Sequence, residues 1–132
     1  MHARGLFDVQ LAPTPADHES GAAIGRMTIA KRYHGDLEAD SRGQMLAHRT
    51  ATPGSAGYVA MEVVTGTLGG RSGSFVLQHS GSMARGSASL VVEVVPDSGT
   101  DALGGLAGRM AIVIEGGQHS YAFDYTLPDA AG

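Results

Sequence analysis

Apolar and polar side chains alternate along most of the chain with a period of two residues, which is typical of β-strands with one buried face. In the first such segment, GLFDVQL, Phe7, Val9 and Leu11 share one face, while Asp8 and Gln10 lie on the other. No apolar period of 3.6 residues continues beyond about three helical turns, so no long amphipathic helix is expected. The pattern therefore predicts an all-β protein.

The alternation predicts about eight strands with mostly short connections. After the first strand, the expected strands are 24–33, 44–50, 58–68, 72–80, 87–95, 106–115 and 118–127. The segment GDLEADSRG is a further strand that leads into a turn at Arg42 and Gly43. The polar segment 14–23, beside the sequence APTP, is a weak helical candidate and is expected to be a loop or a single turn.

These strands are expected to close into one small antiparallel β-barrel. The chain has 132 residues, which suits a single domain, and its 20 glycines are spread along the sequence, as many turns require. A run of antiparallel strands leaves two unpaired edges unless the sheet closes on itself. We therefore expect one barrel domain over 1–132, with its core at about 5–127.

The central segment GYVAMEVVTGTLGGRSGSFVLQHSGSM reads as a β-hairpin. If 69–71 form a three-residue connection, Met61 pairs with His79 and Glu62 with Gln78. The face expected to line the interior carries Val59, Met61, Val63, Phe75, Leu77 and His79. The other face, expected to meet solvent, a partner chain or a polar cavity, carries Tyr58, Ala60, Glu62, Val64, Ser74, Val76 and Gln78. A slip of one residue would exchange these pairings.

The last strand, HSYAFDYTL, carries three of the seven aromatic residues on one face, together with His119. We expect that face to point inward, where each buried hydroxyl needs a partner. The hydroxyl groups either bond to loops and water at the barrel mouth or contact a ligand. The candidate ligand-binding residues from both segments are Tyr58, Phe75, His79, His119, Tyr121 and Tyr125.

Glu62 and His79 are the candidate catalytic residues. If the barrel holds a cavity, an imidazole and a partly desolvated carboxylate are groups able to move a proton. The alternative is structural, since a carboxylate on a strand is usually solvated and a lone histidine on an apolar face is usually hydrogen-bonded.

Other chemistries find little support in the sequence. His48, His79 and His119 lie on predicted strands and could converge, but no H-x-H pair is present, so we expect neither a metal site nor a cofactor. Ser98 in VVPDSGT is better explained by a turn than by a nucleophile elbow. The GTLGGRSG glycines lack the Lys-Ser/Thr pair of a phosphate loop.

Charge and composition limit the classes of partner that the protein is expected to bind. The formal net charge of −4 is the wrong sign for nucleic-acid binding. The chain has no cysteine, its beginning lacks the apolar region of a signal peptide, and no stretch approaches membrane-spanning length. We therefore expect a cytoplasmic protein that binds neither nucleic acid nor a membrane.

Three segments carry a family resemblance: the central hairpin with GRSGSFVLQH, then VVPDSGTDALGGLAGRM, and finally GQHSYAFDYTL. Over residues 5 to 127 the chain resembles the bacterial family known as domain of unknown function 3224. The resemblance implies a closed antiparallel barrel similar to allene oxide cyclase, a calycin-like fold that dirigent-like proteins share. It implies no known activity, and no catalytic residue is carried over from it.

Two classes of function follow from these expectations. In the first, the barrel interior binds a small, largely apolar molecule, with an isomerase or cyclase as the enzyme version. In the second, the barrel is filled and serves as a non-catalytic structural or oligomerisation module. A homodimer is expected, through apolar residues of the mixed face: Tyr58, Ala60, Val64 and Val76.

Overall fold

The chain forms eight antiparallel strands, as the computed structural model shows for residues 1–14 and 24–128. The strands are β1 (His2–Thr14), β2 (Gly25–Gly35), β3 (Leu37–Arg49), β4 (Ala56–Leu68), β5 (Arg71–Ala84), β6 (Ser87–Val94), β7 (Ala107–Glu115) and β8 (Gln118–Thr126). Each strand pairs with the next, and β8 pairs with β1, so the sheet is a closed barrel. The predicted all-β antiparallel barrel is confirmed. The loop predicted at 14–23 lies outside the described residues, apart from Thr14 at the end of β1.

The two ends of the barrel differ. At the first, which we call the closed end, the segment between β6 and β7 includes a short 3-10 turn, Asp101–Leu103. Leu103 and Leu106 from this segment are buried against the core. At the other, which we call the open end, two-residue turns join β5 to β6 and β7 to β8. No helix in the described part of the chain is long and apolar enough to cross a membrane.

The hairpin of β4 and β5 corrects one prediction. Gly69 and Gly70 form a two-residue turn, both with positive φ, as the tight turns that join twisted strands require. Glu62 is therefore opposite Leu77, and His79 is opposite Ala60. The predicted three-residue connection was wrong by one position. That shift places the other face of β4 inside the barrel.

The burial of alternate residues shows which face of β4 points into the barrel. The interior receives Ala60, Glu62 and Val64, all buried. The side chains predicted to be inside are instead outside and about half exposed: Val59, Met61 and Val63. The β5 part of the prediction is confirmed, because Phe75, Leu77 and His79 are buried.

Strand β3 is continuous, so the turn predicted at Arg42 and Gly43 was wrong. Gly43 is paired with Glu62 in the middle of the β3–β4 ladder. A Cβ atom at Gly43 would overlap the carbonyl oxygen of Met61. This glycine therefore allows a close approach between two strands and does not mark a turn.

The half of the barrel next to the closed end is filled by side chains. Phe75 and Phe123 stack with ring centroids 5.9 Å apart, and Tyr125 packs on Phe123 at 5.2 Å. The core around them also contains Ala3, Tyr33, Leu37, Ala39, Val64, Leu68, Leu77, Val92, Val94, Leu103, Leu106, Met110 and Tyr121. The side chains of this half are almost completely buried.

The junction of β6 and β7 is the weakest in the barrel wall. The two strands share a single paired position, Glu93 with Arg109, whose side chains approach to 3.6 Å on the outer surface. From there to the open end they form no further pairs. Leu90 on β6 and Ile114 on β7 are large apolar residues that stay exposed in this region.

Candidate functional site

Glu62 lies at the centre of the barrel interior and is completely buried. Its Oε1 atom accepts hydrogen bonds from Tyr33 Oη at 2.5 Å and Ser41 Oγ at 2.8 Å. Its Oε2 atom accepts from Lys31 Nζ at 2.8 Å and from His79 Nε2 at 2.6 Å. We call these five residues the Glu62 network.

The register of four strands brings the network together. Lys31 is directly opposite Ser41 in the β2–β3 ladder, and Tyr33 is the next inward position on β2. His79 is diagonal to Glu62 across β4 and β5, a spacing that long side chains can bridge. The Lys31 ammonium also lies 5.0 Å from the centre of the Phe7 ring, within range of a cation–π contact.

The network holds Glu62 as a carboxylate. Burial alone would raise the pKa of Glu62, but the hydrogen bond from His79 and the charge and hydrogen bond of Lys31 lower it to about 2. Burial, together with the negative charge of Glu62, raises the pKa of Tyr33 well above its ordinary value of 10.0. At neutral pH, Tyr33 is therefore a neutral donor to an ionised Glu62.

An apolar cavity lies between this network and the open end. Its volume is about 380 Å³. We call it the open chamber, and it is lined by Met45, Ala47, Ala56, Gly57, Tyr58, Gly81, Ser82, Met83, Ala88, Ser89 and Leu90. Met83 is 43% exposed and Leu90 is 42% exposed, although both point inward by the alternation of their strands. Among residues 1–14 and 24–128, side chains thus fill one end of the barrel and leave a cavity at the other.

Tyr58 is an aromatic residue with a hydroxyl group in the wall of the open chamber. Its ring lies against Gly81, where a Cβ atom would overlap it. Burial and the charge of Glu62 raise the pKa of Tyr58, so its hydroxyl is a neutral donor at neutral pH. His79 is one inward position deeper than Gly81 on β5.

The predicted site residues fall into two groups. Glu62 and His79 are in direct contact, and Tyr58 lines the open chamber. His119 is half-buried, with its ring 5.2 Å from the ring of Phe7. These residues belong to the middle and the open half of the barrel.

The other three candidates lie in the filled half. Phe75 is buried in the aromatic stack. Tyr121 accepts a hydrogen bond from the Leu37 amide at 2.9 Å and lies 2.8 Å from the carbonyl oxygen of His34, so its hydroxyl fastens the β2–β3 turn. Tyr125 is also buried there. The structure therefore does not bring Phe75, Tyr121 or Tyr125 to the open chamber.

Several residues of the candidate site were not identified from the sequence. Lys31, Tyr33 and Ser41 complete the Glu62 network, and Met45 and Met83 line the open chamber. Alternation in RMTIAKRYH and LEADSRGQMLAHR could have placed all of these residues except Met83 with apolar neighbours on one face. Reading β2 and β3 by face would therefore have indicated most of the site.

Two other chemistries were also considered in the structure. Within residues 1–14 and 24–128, no group of three or more potential metal ligands is arranged to hold an ion. Ser98 Oγ accepts a hydrogen bond from the Val76 amide at 3.0 Å. That contact gives Ser98 a role in the turn between β6 and β7.

The fold and the site together define a class: a closed eight-stranded barrel with one packed half, a buried ion pair at its centre and an apolar chamber at its open end. Residues 3–125 match the family described as "Protein of unknown function (DUF3224)". The chain therefore belongs to the DUF3224 family, as the resemblance implied.

A crystal structure of a related protein has the same fold. It is that of a protein with unknown function from the DUF3224 family of Shewanella oneidensis MR-1, at 1.84 Å resolution. The two chains are 50% identical, with 96% of this chain and 97% of the other covered, and the TM-score is 0.89. No curated protein matches this chain.

Proposed function

We propose that the protein binds a small, largely apolar molecule in the open chamber. The observation that carries this proposal is the contrast between the two halves of the barrel. Inward-facing side chains are tightly packed near the closed end, whereas Met83 and Leu90 remain partly exposed around a cavity of about 380 Å³. Small-molecule sites are commonly concave and apolar, with a few polar groups that orient the ligand.

The lining of the chamber supports an apolar ligand of variable shape. Met45 and Met83 are flexible and polarisable, so they can adapt to an irregular surface. Tyr58 supplies one polar group in the wall, and the Glu62 network lies deeper in the barrel. The cavity is at the low end of the volume range of drug-sized sites, roughly 300–1,000 Å³, which favours a ligand of modest size.

Binding of N-phenyl-1-naphthylamine, a neutral fluorescent probe, tests the proposal. We expect its fluorescence to rise on binding to the wild-type protein. The variant Ala88→Trp should abolish that rise, because Ala88 lines the chamber and is exposed enough to accept a large side chain without strain. A second readout is native mass spectrometry of protein from its natural host, in which a bound molecule would add to the chain mass.

The matched control is Ala111→Trp, since Ala111 is an exposed alanine on the outer face of β7. It should bind the probe as the wild type does. Equal loss of binding in both variants, or no binding by the wild type together with an unligated native mass, would contradict the proposal.

The enzyme version of this proposal is an isomerase or cyclase. An apolar chamber that excludes water can hold one reactive conformer of a ligand, and the contact between Glu62 and His79 adds a group able to move a proton. Conversion of a co-purified ligand on prolonged incubation, absent in Ala88→Trp, would support it. Recovery of the ligand unchanged would favour binding alone.

A second candidate function is a non-catalytic oligomerisation module, and an outer surface favours it. Leu46, Val59, Met61 and Val63 are each about half exposed on neighbouring positions of β3 and β4. We call this surface the outer apolar row. It is a different surface from the interface expected from the sequence, because two residues of that expected interface, Ala60 and Val64, are buried. Contiguous exposed apolar surface of this kind is typical of interaction sites.

We propose a homodimer through the outer apolar row. Sedimentation velocity at tens of micromolar should show a dimer for the wild type and a monomer for Met61→Lys. Probe binding in the chamber should survive that substitution, because Met61 points away from the interior. A monomeric wild type would contradict the dimer and leave the ligand proposal intact. A cytoplasmic location stays a prediction.

A further inference from the structure

The position of His79 fixes which of its ring nitrogens is free. Glu62 is ionised and can only accept hydrogen bonds, so Nε2 of His79 must carry the proton that bridges to Oε2 at 2.6 Å. In the neutral imidazole, Nδ1 then holds the unshared electron pair. His79 therefore presents a hydrogen-bond acceptor on the side away from Glu62.

That acceptor belongs to the residue one inward position below Gly81, which lines the open chamber; His79 itself is not one of the lining residues. Among the described residues Nδ1 has no hydrogen-bond partner, and none of their buried side-chain nitrogen or oxygen atoms lacks one. Nδ1 must therefore belong to the small exposed part of His79, which is 4% exposed as a residue. Leu77 is the next inward residue toward the closed end and Val92 lies directly opposite His79 on β6, whereas Gly81, with no side chain, is the next inward residue toward the open chamber.

The charges around His79 favour a neutral ligand. Glu62 and Lys31 compensate each other in a buried ion pair, with side chains 0% and 6% exposed. An anionic ligand would add a second negative charge close to Glu62 in a region of low dielectric constant, where repulsion is strong. A cation would find no unpaired carboxylate, because all the acceptor sites of Glu62 are occupied.

We propose that the open chamber takes an apolar molecule with one weakly acidic hydroxyl group, a phenol or an enol, whose O–H donates a hydrogen bond to Nδ1 of His79. This inference rests on the proposed small-molecule function. The apolar body of the ligand occupies the chamber, and its hydroxyl points down toward the Glu62 network. Glu62 orients the imidazole from the opposite side, as a carboxylate does for a histidine that accepts a proton.

Two matched probes, 2-naphthol and 2-methoxynaphthalene, test the ligand class by isothermal titration calorimetry. They share the same apolar body, but only the first can donate a hydrogen bond. We expect the naphthol to bind about tenfold more tightly, as one net hydrogen bond implies. Equal affinities would overturn this inference and leave the proposed function standing, whereas no binding of either probe would overturn both.

The variant His79→Phe assigns the preference to this residue. It should bind the ether as before and lose the preference for the naphthol, so that both probes bind alike. A preference retained in His79→Phe would overturn the inference. Because this substitution removes a donor to Glu62, folding is checked by circular dichroism.

Nitrogen-15 NMR of the wild-type protein decides the question independently of any substitution at the site. The Nδ1 resonance of His79 should shift when the naphthol is added and stay in place with the ether. An Nδ1 resonance that responds to both probes alike, or to neither, would overturn the inference.

Discussion

Glu62→Gln removes a charge from the centre of the barrel while it preserves the shape of the side chain. In the variant, the ammonium group of Lys31 stays buried without its counter-ion. The new amide also presents N–H groups in a place where both carboxylate oxygens accepted hydrogen bonds. We therefore expect Glu62→Gln to be strongly destabilising, although it changes no buried apolar group.

The size of the effect follows from the electrostatics of the site. The pKa of Glu62 is lowered from 4.5 to about 2. Because one pKa unit is equivalent to about 1.4 kcal/mol, the folded protein favours the carboxylate by about 3 kcal/mol. Removal of one partner of a buried ion pair typically costs about 3–5 kcal/mol, which agrees with this value. We expect the free energy of unfolding to fall by about 3 kcal/mol.

Urea unfolding at pH 7, followed by far-ultraviolet circular dichroism, measures this change. Glu115→Gln is the matched control, because Glu115 is exposed at the end of β7, and it should change stability by less than about 0.5 kcal/mol. The double variant Lys31→Met with Glu62→Gln removes both charges. It should be more stable than the sum of the two single effects predicts, by at least about 1 kcal/mol.

Two results would refute this reasoning. If Glu62→Gln lay within about 1 kcal/mol of the wild type, the carboxylate would not be the partner that stabilises Lys31. If the effects of Lys31→Met and Glu62→Gln were additive, the two side chains would not interact in solution.

Three further predictions concern stability. The pKa of Glu62 is lower in the folded protein, so the contribution of Glu62 to the free energy of unfolding is complete above pH 4.5 and is lost as the pH falls toward 2. The urea midpoint of the wild type should therefore fall over that pH range more steeply than the midpoint of Glu62→Gln. Leu77→Trp should cost about 1–3 kcal/mol by overpacking the filled half, and an unchanged melting temperature would mean that this half has spare room. Gly43→Ala should lower the melting temperature, because the new Cβ atom would overlap the Met61 carbonyl oxygen. Gly25→Ala is the control and should not lower it, because its Cβ atom would lie 3.9 Å from the nearest contact. Equal melting temperatures for the two variants would argue against the close approach of β3 and β4.

Alternation predicted the strands well because buried residues recur at every second position in strands such as β4, β5 and β8. It was least informative where both faces of a strand carry apolar residues. On β4, the outward Val59, Met61 and Val63 are more hydrophobic than the inward Ala60 and Glu62. Hydrophobicity alone therefore favours the wrong face there, and only the length of the Gly69–Gly70 turn settles the register.

The Glu62 network could be predicted only in part. Glu62 and His79 were recognisable as a carboxylate and an imidazole in the strands of the central hairpin. A lysine at position 31 is usually expected in solvent, because a buried ammonium group needs a partner. Its partner lies 31 positions further along the chain. Alternation can place Lys31 on the apolar face of β2, but the partner that permits its burial is supplied only when the barrel closes.

The single paired position between β6 and β7 determines where the barrel wall can open locally. Separating β3 from β4 would break a ladder that runs along all of Leu37–Arg49. Separating β6 from β7 costs only the pair at Glu93 and Arg109. We therefore expect thermal fluctuations to separate the wall at this line first, beside Leu90 of the open chamber, while the seven other ladders hold. A molecule bound in the open chamber, as proposed above, would then exchange through the side of the barrel without global unfolding.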